Sequence, residues 1–389
     1  MTVLRTLARE QRAIQATAWG EWASGSTTWS GNSVSTTSSL QLLTVYGCVR
    51  LIADSIATLP VDTYRVRPDG EQEEITPPRW LVQPTPYLDR TAWLTQVLTS
   101  LLLDGNSYCY VIRDTSTGAI SELLPIDPTI VKVEKQPGQA KAYLVGGKPF
   151  AGYEILHIPA VMFPGSSVGL SPVEAARQSI GMGMAAQEYG GRFFGQGATQ
   201  TGVIEVPGTL PQGKPQELAQ QWERRHSGKA KAHLPGVLEG GATWKSTAVT
   251  NEQAQFLETR RYTAAEIAGQ MFLVDPSELG IGVEGTSLTY ANLEQRKVRL
   301  ASVTLQPWIV RLETALSALL ANPRFMKFNM AAFLRADAKT QAETFQIGIR
   351  TGYLLRSEVR DLLDLPVIPG IDDAPLPAAI TGGSNAPAA

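Results

Sequence analysis

The sequence predicts an α+β protein with a mostly antiparallel sheet, amphipathic helices on both sides of it and one unusually long helix. Three patterns lead to this fold class. Apolar and polar residues alternate in short segments from 106 to 158, helical spacing flanks that region, and a further helical pattern runs from 286 to 320. Alternation with period two indicates half-buried strands, whereas spacings of three and four indicate one face of a helix.

Length and composition limit the possible functions. The chain has 389 residues, 43% of them apolar, which is enough for about two or three units around a sizeable core. The charges of its 34 basic and 36 acidic residues nearly cancel. This argues against a strong positive electrostatic potential that would attract nucleic acid or an anionic membrane. Cys48 and Cys109 lie in apolar surroundings and predict buried thiols in a reducing compartment. Without a signal peptide or an apolar run of about 18 residues, we expect cytoplasmic synthesis and no membrane span.

The first 39 residues predict a flexible arm, because they are polar and end in a stretch rich in Ser, Thr and Gly. Three tryptophans in this region, Trp19, Trp22 and Trp29, favour anchoring on a neighbouring surface. Packing onto the chain's own body is the alternative.

Two amphipathic helices are predicted in the next part of the chain. The first runs from Ser39 to Leu59 and stops at Pro60, after which a strand passes through Tyr64. The second begins after Asp89, whose carboxylate can cap it, and closes at 104–105. Five short strands with glycine turns between them follow, in the segments SYCYVIRD, AISELLPI, TIVKVEK, KAYLVGG and EILHIP. This part therefore predicts a mostly antiparallel sheet.

A small α/β insertion is predicted between a helix from Pro172 to about Phe194 and another helical pattern from Asn251 to Phe272. Residues 214–231 of the insertion carry five basic and two acidic residues, a surplus of three. A solvated helix face and a docking surface both fit this surplus. The candidate docking residues are Lys214, Arg224, Arg225 and Lys229.

Within the long helical pattern from Thr286 to Leu320, about 32 residues would form a rod of roughly 48 Å at about 1.5 Å per residue. Pro307 lies inside it and should bend the rod without ending it, because the apolar periodicity resumes at Trp308. Just before it, residues 275–278 predict a capped turn, and a glycine-bearing loop follows.

Two motifs match a catalytic or a cofactor-binding consensus in residue type, but the sequence around them lacks the rest of the site. Gly165-x-Ser167-x-Gly169 matches the nucleophile elbow of hydrolases, but no histidine or aspartate lies at the expected places after the serine. An esterase-like hydrolase using Ser167 remains the enzyme alternative, with loss of activity in Ser167→Ala as its test. Residues 181–186 match a dinucleotide fingerprint in the middle of a helical pattern, so we expect close helix packing there. No metal-ligand spacing or phosphate-binding loop is found, and no cofactor is predicted.

The order of these segments resembles the portal proteins of tailed double-stranded DNA phages, of the lambdoid long-tailed type. The similarity covers about residues 40–370 and excludes the arm and roughly the last twenty residues. The phrases that carry it are VYGCVRLIADSIATLPVDTYR, LLLDGNSYCYVIRD, GLSPVEAARQSIGMGMAAQEYGGRFFGQGA, EQAQFLETRRYTAAEIAGQMF, TYANLEQ, LQPWIVRLE and LLRSEVRDLLDLPVIPG.

The resemblance implies a portal fold with an α+β wing, a helical stem, a small α/β clip, a long kinked channel helix and a helical crown. The implied boundaries are 1–39 for the arm, 40–170 for the wing, 171–197 and 251–272 for the stem helices, 198–250 for the clip, 273–287 for the tunnel loop, 288–321 for the channel helix and 322–389 for the crown with a disordered tail. The kink is expected at Pro307.

The resemblance also implies a function. Such a chain would be a non-enzymatic virion component that forms a homo-oligomeric ring, a dodecamer, at one capsid vertex. The major capsid protein would surround the ring, double-stranded DNA would pass through it without sequence specificity, and the large terminase and the head–tail adaptor would dock on it. Another ring-forming head–tail structural protein is the second alternative; it should lack a clip between two stem helices.

The tunnel loop would project into the bore through its segment Gly282, Val283, Glu284 and Gly285. Glycines give this segment access to conformations that other residues avoid. Glu284, the only charge from 279 to 286, would repel phosphate and keep contacts with DNA transient. A loop packed on the outside of the ring is the alternative.

Overall fold

A computed structural model describes residues 28–134, 141–195, 202–208, 211, 213–226, 240–246, 252–282, 290–330, 333, 338–363 and 365–374. The α-helices are α1 (Thr36–Ser39), α2 (Leu43–Ala57), α3 (Arg79–Val82), α4 (Arg90–Leu103), α5 (Pro172–Ala175), α6 (Arg177–Gly195), α7 (Lys214–His226), α8 (Glu252–Glu266), α9 (Tyr290–Arg299), α10 (Gln306–Ser317), α11 (Ala338–Thr351) and α12 (Arg356–Leu362). Short 3-10 helices span Pro128–Ile130 and Pro276–Leu279, and π-helices span Ile267–Met271 and Leu300–Leu305.

The strands are β1 (Val61–Val66), β2 (Gln72–Ile75), β3 (Asn106–Arg113), β4 (Ile120–Ile126), β5 (Val131–Glu134), β6 (Ala142–Val145), β7 (Lys148–Phe150), β8 (Ile155–Pro159), β9 (Gly202–Glu205), β10 (Thr243–Ser246) and β11 (Arg324–Phe328). Every pairing between them is antiparallel among the described residues. The α+β class is therefore confirmed. The strands from 106 to 159 form two three-stranded sheets, in the orders β4-β3-β8 and β5-β6-β7.

A strand that the sequence analysis missed, β11, forms one edge of a further three-stranded sheet, in the order β11-β1-β2. It pairs with β1, so that Val61 lies opposite Phe328, and the ring of Phe325 stacks on Tyr64 with centroids 5.5 Å apart. The segment had been assigned to a helical region beginning at 322. Its partner lies more than 250 residues earlier in the chain, and no local pattern reports such a pairing.

One apolar core joins the early helices of the chain to the C-terminal half of the long helix. It combines buried side chains of α2, α4 and α10, among them Ile52, Leu98 and Leu312, each at most 1% exposed. Asp89 caps α4 as predicted, since the backbone N–H of Ala92 donates to its carboxylate at 2.7 Å. Burying each large apolar side chain contributes about 1.5–3 kcal/mol to folding. Cys48 and Cys109 are buried free thiols, as expected.

The long helix is continuous from Tyr290 to Ser317 but changes its hydrogen-bonding pattern. It runs as α9, then as the π-helix Leu300–Leu305, and then as α10 with Pro307 in its first turn. Leu300 and Leu305 are both buried, and a spacing of five between core residues suits a π turn. The irregularity therefore lies directly before the proline; the bend itself stays a prediction. No described helix is both long and apolar enough for a membrane span.

A buried polar network fastens the loop 160–171 onto the sheet. The Nε2 of His157 lies 3.1 Å from the Oδ1 of Asn106, and its Nδ1 lies 3.4 Å from the hydroxyl of Tyr143. Asn106 also accepts from the backbone N–H of Gly169 at 2.6 Å and donates to its carbonyl at 3.0 Å. A Cβ on Gly169 would lie 2.1 Å from a backbone oxygen, so only glycine fits there.

We predict that this network makes the fold sensitive to mild acid. Burial, with a smaller contribution from the charge of Lys141, lowers the pKa of His157 from 6.5 to about 3. The unfolded chain therefore takes up a proton near pH 6.5 that the folded chain refuses, and stability falls as the pH drops from 6.5 toward 3. Thermal unfolding measured between pH 7 and pH 4 should show this loss in the native protein. His157→Gln should be less stable at pH 7 and should lose less stability on acidification; an unchanged pH dependence would contradict the assignment.

Candidate functional site

The segment between α8 and the long helix is the candidate site, because its base is held in an unusual backbone conformation. Helix α8 passes directly into the π-helix Ile267–Met271. Leu273, two residues later, has φ 56°, a positive value that no other non-glycine residue has in the described part of the chain. The N–H of Val274 then turns back to donate to the carbonyl of Ala268 at 2.9 Å. Such a left-handed leucine costs about 1–3 kcal/mol and persists only where surrounding contacts enforce it.

The enforcing contact comes from the second π-helix. The hydroxyl of Thr304, which is 2% exposed, donates to the carbonyl of Leu273 at 2.5 Å. This hydrogen bond joins the second π-helix, which lies within the long helix, to the residue two positions after the first π-helix. Single π turns of this kind are frequent at functional sites.

A capped turn continues the base of the loop. Asp275 accepts from the backbone N–H of Ser277 at 2.9 Å and from its hydroxyl at 2.7 Å, which confirms the predicted cap. The hydrogen bond from this hydroxyl is the main cause that lowers the pKa of Asp275. Arg296 of α9 donates to the same hydroxyl at 2.9 Å, so the turn is tied to the long helix. Gly280, with φ 70°, ends the turn.

Helix α2 supports the base of the loop, because both π-helices pack against it. At Gly47 of this helix, a Cβ would lie 3.2 Å from the Cδ2 of Leu279. The missing side chain leaves room for Leu279 and brings the capped turn close to the helix backbone.

The predicted tip lies beyond this base. Gly282 is exposed, and a Cβ built on it would meet nothing within 4 Å. Val283, Glu284 and Gly285 lie outside the described residues. The residues that hold the base, Leu273, Arg296 and Thr304, were missed in the sequence analysis. The five-residue spacing of Leu300 and Leu305 was the available signal.

The insertion contains the antiparallel pair β9–β10 and the helix α7, as predicted. On α7, Lys214 is exposed and pairs with Glu217 at 2.9 Å, so its charge is largely offset. Arg224 is exposed and donates to the side chain of Gln220 at 3.4 Å. The side chain of Arg225 and the whole of Lys229 lie outside the described residues.

The structure does not build a nucleophile elbow around Ser167. The serine lies in a long loop between β8 and α5, whereas an elbow places it at a direct strand-to-helix turn. The carbonyl of Ser167 accepts from Lys141 at 3.2 Å, and both ring nitrogens of His157 have the partners given above. Among the described residues, no group of three or more His, Cys, Asp and Glu side chains could hold a metal ion.

The glycines of the fingerprint-like motif in α6 allow other segments to pack closely on this helix. A Cβ on Gly181 would lie 2.6 Å from the side chain of Thr28, and one on Gly183 would lie 3.0 Å from Leu42. Thr28, Trp29 and Asn32 therefore contact this helix, unlike the flexible arm expected for residues 1–39. Trp29 is 92% exposed, and its anchoring on a neighbour stays a prediction. Trp19 and Trp22 lie outside the described residues.

Comparison with known structures gives the same fold. The crystal structure of an HK97 family phage portal protein from Corynebacterium diphtheriae aligns with a TM-score of 0.60 at 15% identity, over 77% of this chain and 96% of that one. The neck of a native gene transfer agent particle, computed with C12 symmetry, aligns with a TM-score of 0.57 at 25% identity, over 86% of this chain and 94% of that one.

Sequence comparison identifies the family. A family model described as phage portal protein matches residues 43–364. The probable portal protein of Streptomyces phage phiC31 is 33% identical over 382 residues, 92% of this chain and 82% of that protein. The portal protein of Enterobacteria phage HK97 is 26% identical over 350 residues, 86% of this chain and 81% of that protein. The chain therefore belongs to the phage portal protein family.

Proposed function

We propose that the clamped loop and the long helix of this portal subunit line the channel of its ring. As a phage portal protein, the chain is a virion component that forms a ring at one capsid vertex, through which the genome is packaged and ejected. The hydrogen bond between Thr304 and Leu273 carries the proposal for the loop. It gives the loop a rigid base on the long helix.

The ring is a dodecamer in this proposal. The C12 symmetry of the structurally similar neck of the gene transfer agent supports that number. A heterologous contact, repeated around an axis, closes into such a ring when its rotation divides the circle evenly.

The regions of the chain take the roles expected from the resemblance. Residues 40–170 form the wing, 171–197 and 251–272 the stem, 198–250 the clip, 273–287 the tunnel loop and 288–321 the channel helix. The strand β11 pairs with β1 of the wing, so we place the start of the crown after it. The insertion with β9, α7 and β10 between α6 and α8 supports the clip assignment and argues against an adaptor-like ring protein.

The partners follow from these positions. The clip, with Lys214, Arg224, Arg225 and Lys229, docks the large terminase and then the head–tail adaptor, while the wing meets the major capsid protein. Double-stranded DNA passes through the bore without sequence specificity. Each neutralised phosphate adds salt-dependent affinity, so a nearly neutral chain suits a polymer that must slide. No step of this role requires catalysis or a cofactor.

Ring formation is the direct test. Light scattering of the purified protein should give a mass of about twelve times the 42.0 kDa of one chain. End-on views in negative stain should show a central hole. A monomer at all protein and salt concentrations would overturn the proposal.

The docking role of the clip predicts a selective defect. Reversing the charge at Arg224 and Arg225 to Glu should weaken terminase or adaptor binding by about tenfold or more, since charged interface residues govern association. Lys148→Glu, an exposed change on β7, is the matched control and should bind normally. Collapse of the ring in the double variant would instead make α7 a subunit interface.

The tunnel loop predicts a packaging defect. Gly282→Pro combined with Gly285→Ala should stiffen the loop, because both changes restrict backbone conformations that glycine allows. Rings and empty heads should form normally, and the amount of DNA packaged per head should fall. Gly191→Ala, on an exposed position of α6 with nothing within 4 Å of the new Cβ, is the control. Wild-type packaging and DNA retention in the double variant would remove the loop from translocation.

A further inference from the structure

An open cavity of about 450 Å³ lies between helix α4, the start of strand β3 and the turn that follows strand β4. One face of α4 forms a wall, because Gln96, Ser100 and Leu103 follow one another at helical spacing and all line the cavity. The end of β4 and the 3-10 helix Pro128–Ile130 supply another wall. No residue of the loop base or of the helix α7 lines this cavity, so the roles assigned above leave it unused.

Two carboxylates give the cavity a negative charge. Among the described residues that line it, Asp104 and Asp127 carry the only charges. Asp104 is half-buried at the end of α4, and Asp127 is exposed. Burial raises the pKa of Asp104 and the nearby charge of Asp127 raises it further, while the hydrogen bond from Asn106 acts in the opposite direction. A cation in the cavity would relieve the repulsion between the two carboxylates.

Three hydroxyls on the lining have already given their protons to other groups. Thr95 donates to the helix carbonyl four residues earlier at 2.9 Å, and Ser100 donates to the carbonyl of Asn106 at 2.6 Å. Thr129 donates to the carboxylate of Asp127 at 2.7 Å. A hydroxyl whose proton is engaged can only accept a further hydrogen bond. These oxygens, like the carboxylates, therefore suit a ligand that donates.

Ser107 adds an enclosed polar group without a partner. It is only 2% exposed, and it lines the cavity from the second position of β3. Its hydroxyl makes no hydrogen bond with any part of the chain that the structure describes. Polar groups this enclosed are normally hydrogen-bonded. The cavity is the place from which a ligand can reach this hydroxyl.

The rest of the lining is mostly apolar. Leu103 and Ile126 are 6% and 8% exposed, and Pro125 and Pro128 also line the cavity. Such walls suit methylene groups, whereas Mg²⁺ and Ca²⁺ take about six or more oxygen ligands. Within the described ranges, no three His, Cys, Asp or Glu side chains are placed to hold a metal ion. The lining therefore favours an alkylammonium ion, whose nitrogen donates several hydrogen bonds and whose chain is apolar.

We propose that this cavity binds a small alkyl diamine. One ammonium group lies between Asp104 and the hydroxyl of Ser107, and the methylene chain packs against Leu103 and Ile126. The second ammonium group pairs with Asp127 at the exposed end. A lysine side chain of a partner protein would offer the same chemistry with one charge, and two carboxylates favour the ligand that carries two. The inference does not rest on the channel role, because residues of a single chain form the cavity.

Isothermal titration calorimetry of the purified full chain with 1,4-diaminobutane at low salt tests the site. We expect saturable binding of one diamine per subunit. Butylamine, which has a single charge, should bind more weakly, and 1,4-butanediol, which has the same length and no charge, should not bind. Tighter binding of a blocked lysine, Nα-acetyl-lysine methylamide, would assign the cavity to a partner's side chain and overturn the diamine.

Removing either charge should weaken the diamine selectively. Asp104→Asn and Asp127→Asn should each lower its affinity about tenfold or more, because each loses a charged partner of an ammonium group. Both variants keep an acceptor oxygen, so the hydrogen bonds from Asn106 and Thr129 can persist and the fold should be retained. Asp69→Asn, an exposed change outside the cavity, is the matched control and should bind normally.

A further variant tests the site with both acids in place. Gln96 is exposed on α4 and lines the cavity, so Gln96→Lys should supply an ammonium group from the chain itself and exclude the diamine. Thermal unfolding of each variant checks that the subunit is folded. Diamine binding that is unchanged in Gln96→Lys would place the ligand elsewhere on the protein.

Competition with a metal ion separates the two kinds of cation. Magnesium chloride should displace the diamine no better than sodium chloride at the same ionic strength; preferential displacement by Mg²⁺ would make this a metal site. No saturable binding to the wild type, or unchanged affinity in both Asp variants, would also overturn the proposal. Light scattering of the same samples reports ring formation separately.

Discussion

The burial of one apolar core by residues of the early helices and of the long helix is the constraint on which the rest of the structure depends. Leu305, Leu312 and Leu316 of the long helix enter the same core as α2 and α4. Shortly after that helix, the pairing of β11 with β1 joins the chain to the sheet formed by its early part. The long helix is therefore held along its C-terminal half by the body, and its N-terminal half extends toward the loop.

The same core sets the shape of the loop base. Both π-helices pack against α2. In the second one, the wider π turn lets Leu300 and Leu305, five residues apart, both face the core. The strain at Leu273 is offset by the hydroxyl of Thr304. In the proposed channel role, this stiff base would hold the loop to the long helix next to the exposed Gly282.

The two ends of the described chain show different solutions to incomplete packing. Near the N-terminus, Thr28 is 4% exposed and lies against Gly181, so this segment is completed within the chain. Near the C-terminus, α11 and α12 keep large apolar side chains exposed among the described residues and hold their tail with Arg356 and Arg360.

The sequence by itself determined the helices, most strands and the family. Asp89 and Asp275 could be recognised as caps because a cap bonds to backbone groups within a few residues. Much of the candidate site could not be predicted from the sequence. The link from Thr304 to Leu273 and the pairing of Val61 with Phe328 join residues far apart in the chain. Likewise, Ser167 matched a catalytic motif by its letters, and the tertiary structure placed it in a loop held by Asn106 and Lys141. Local hydrogen bonds and periodic burial depend on residues close together in the sequence and can be predicted from it. Long-range contacts form only when the core brings distant segments together.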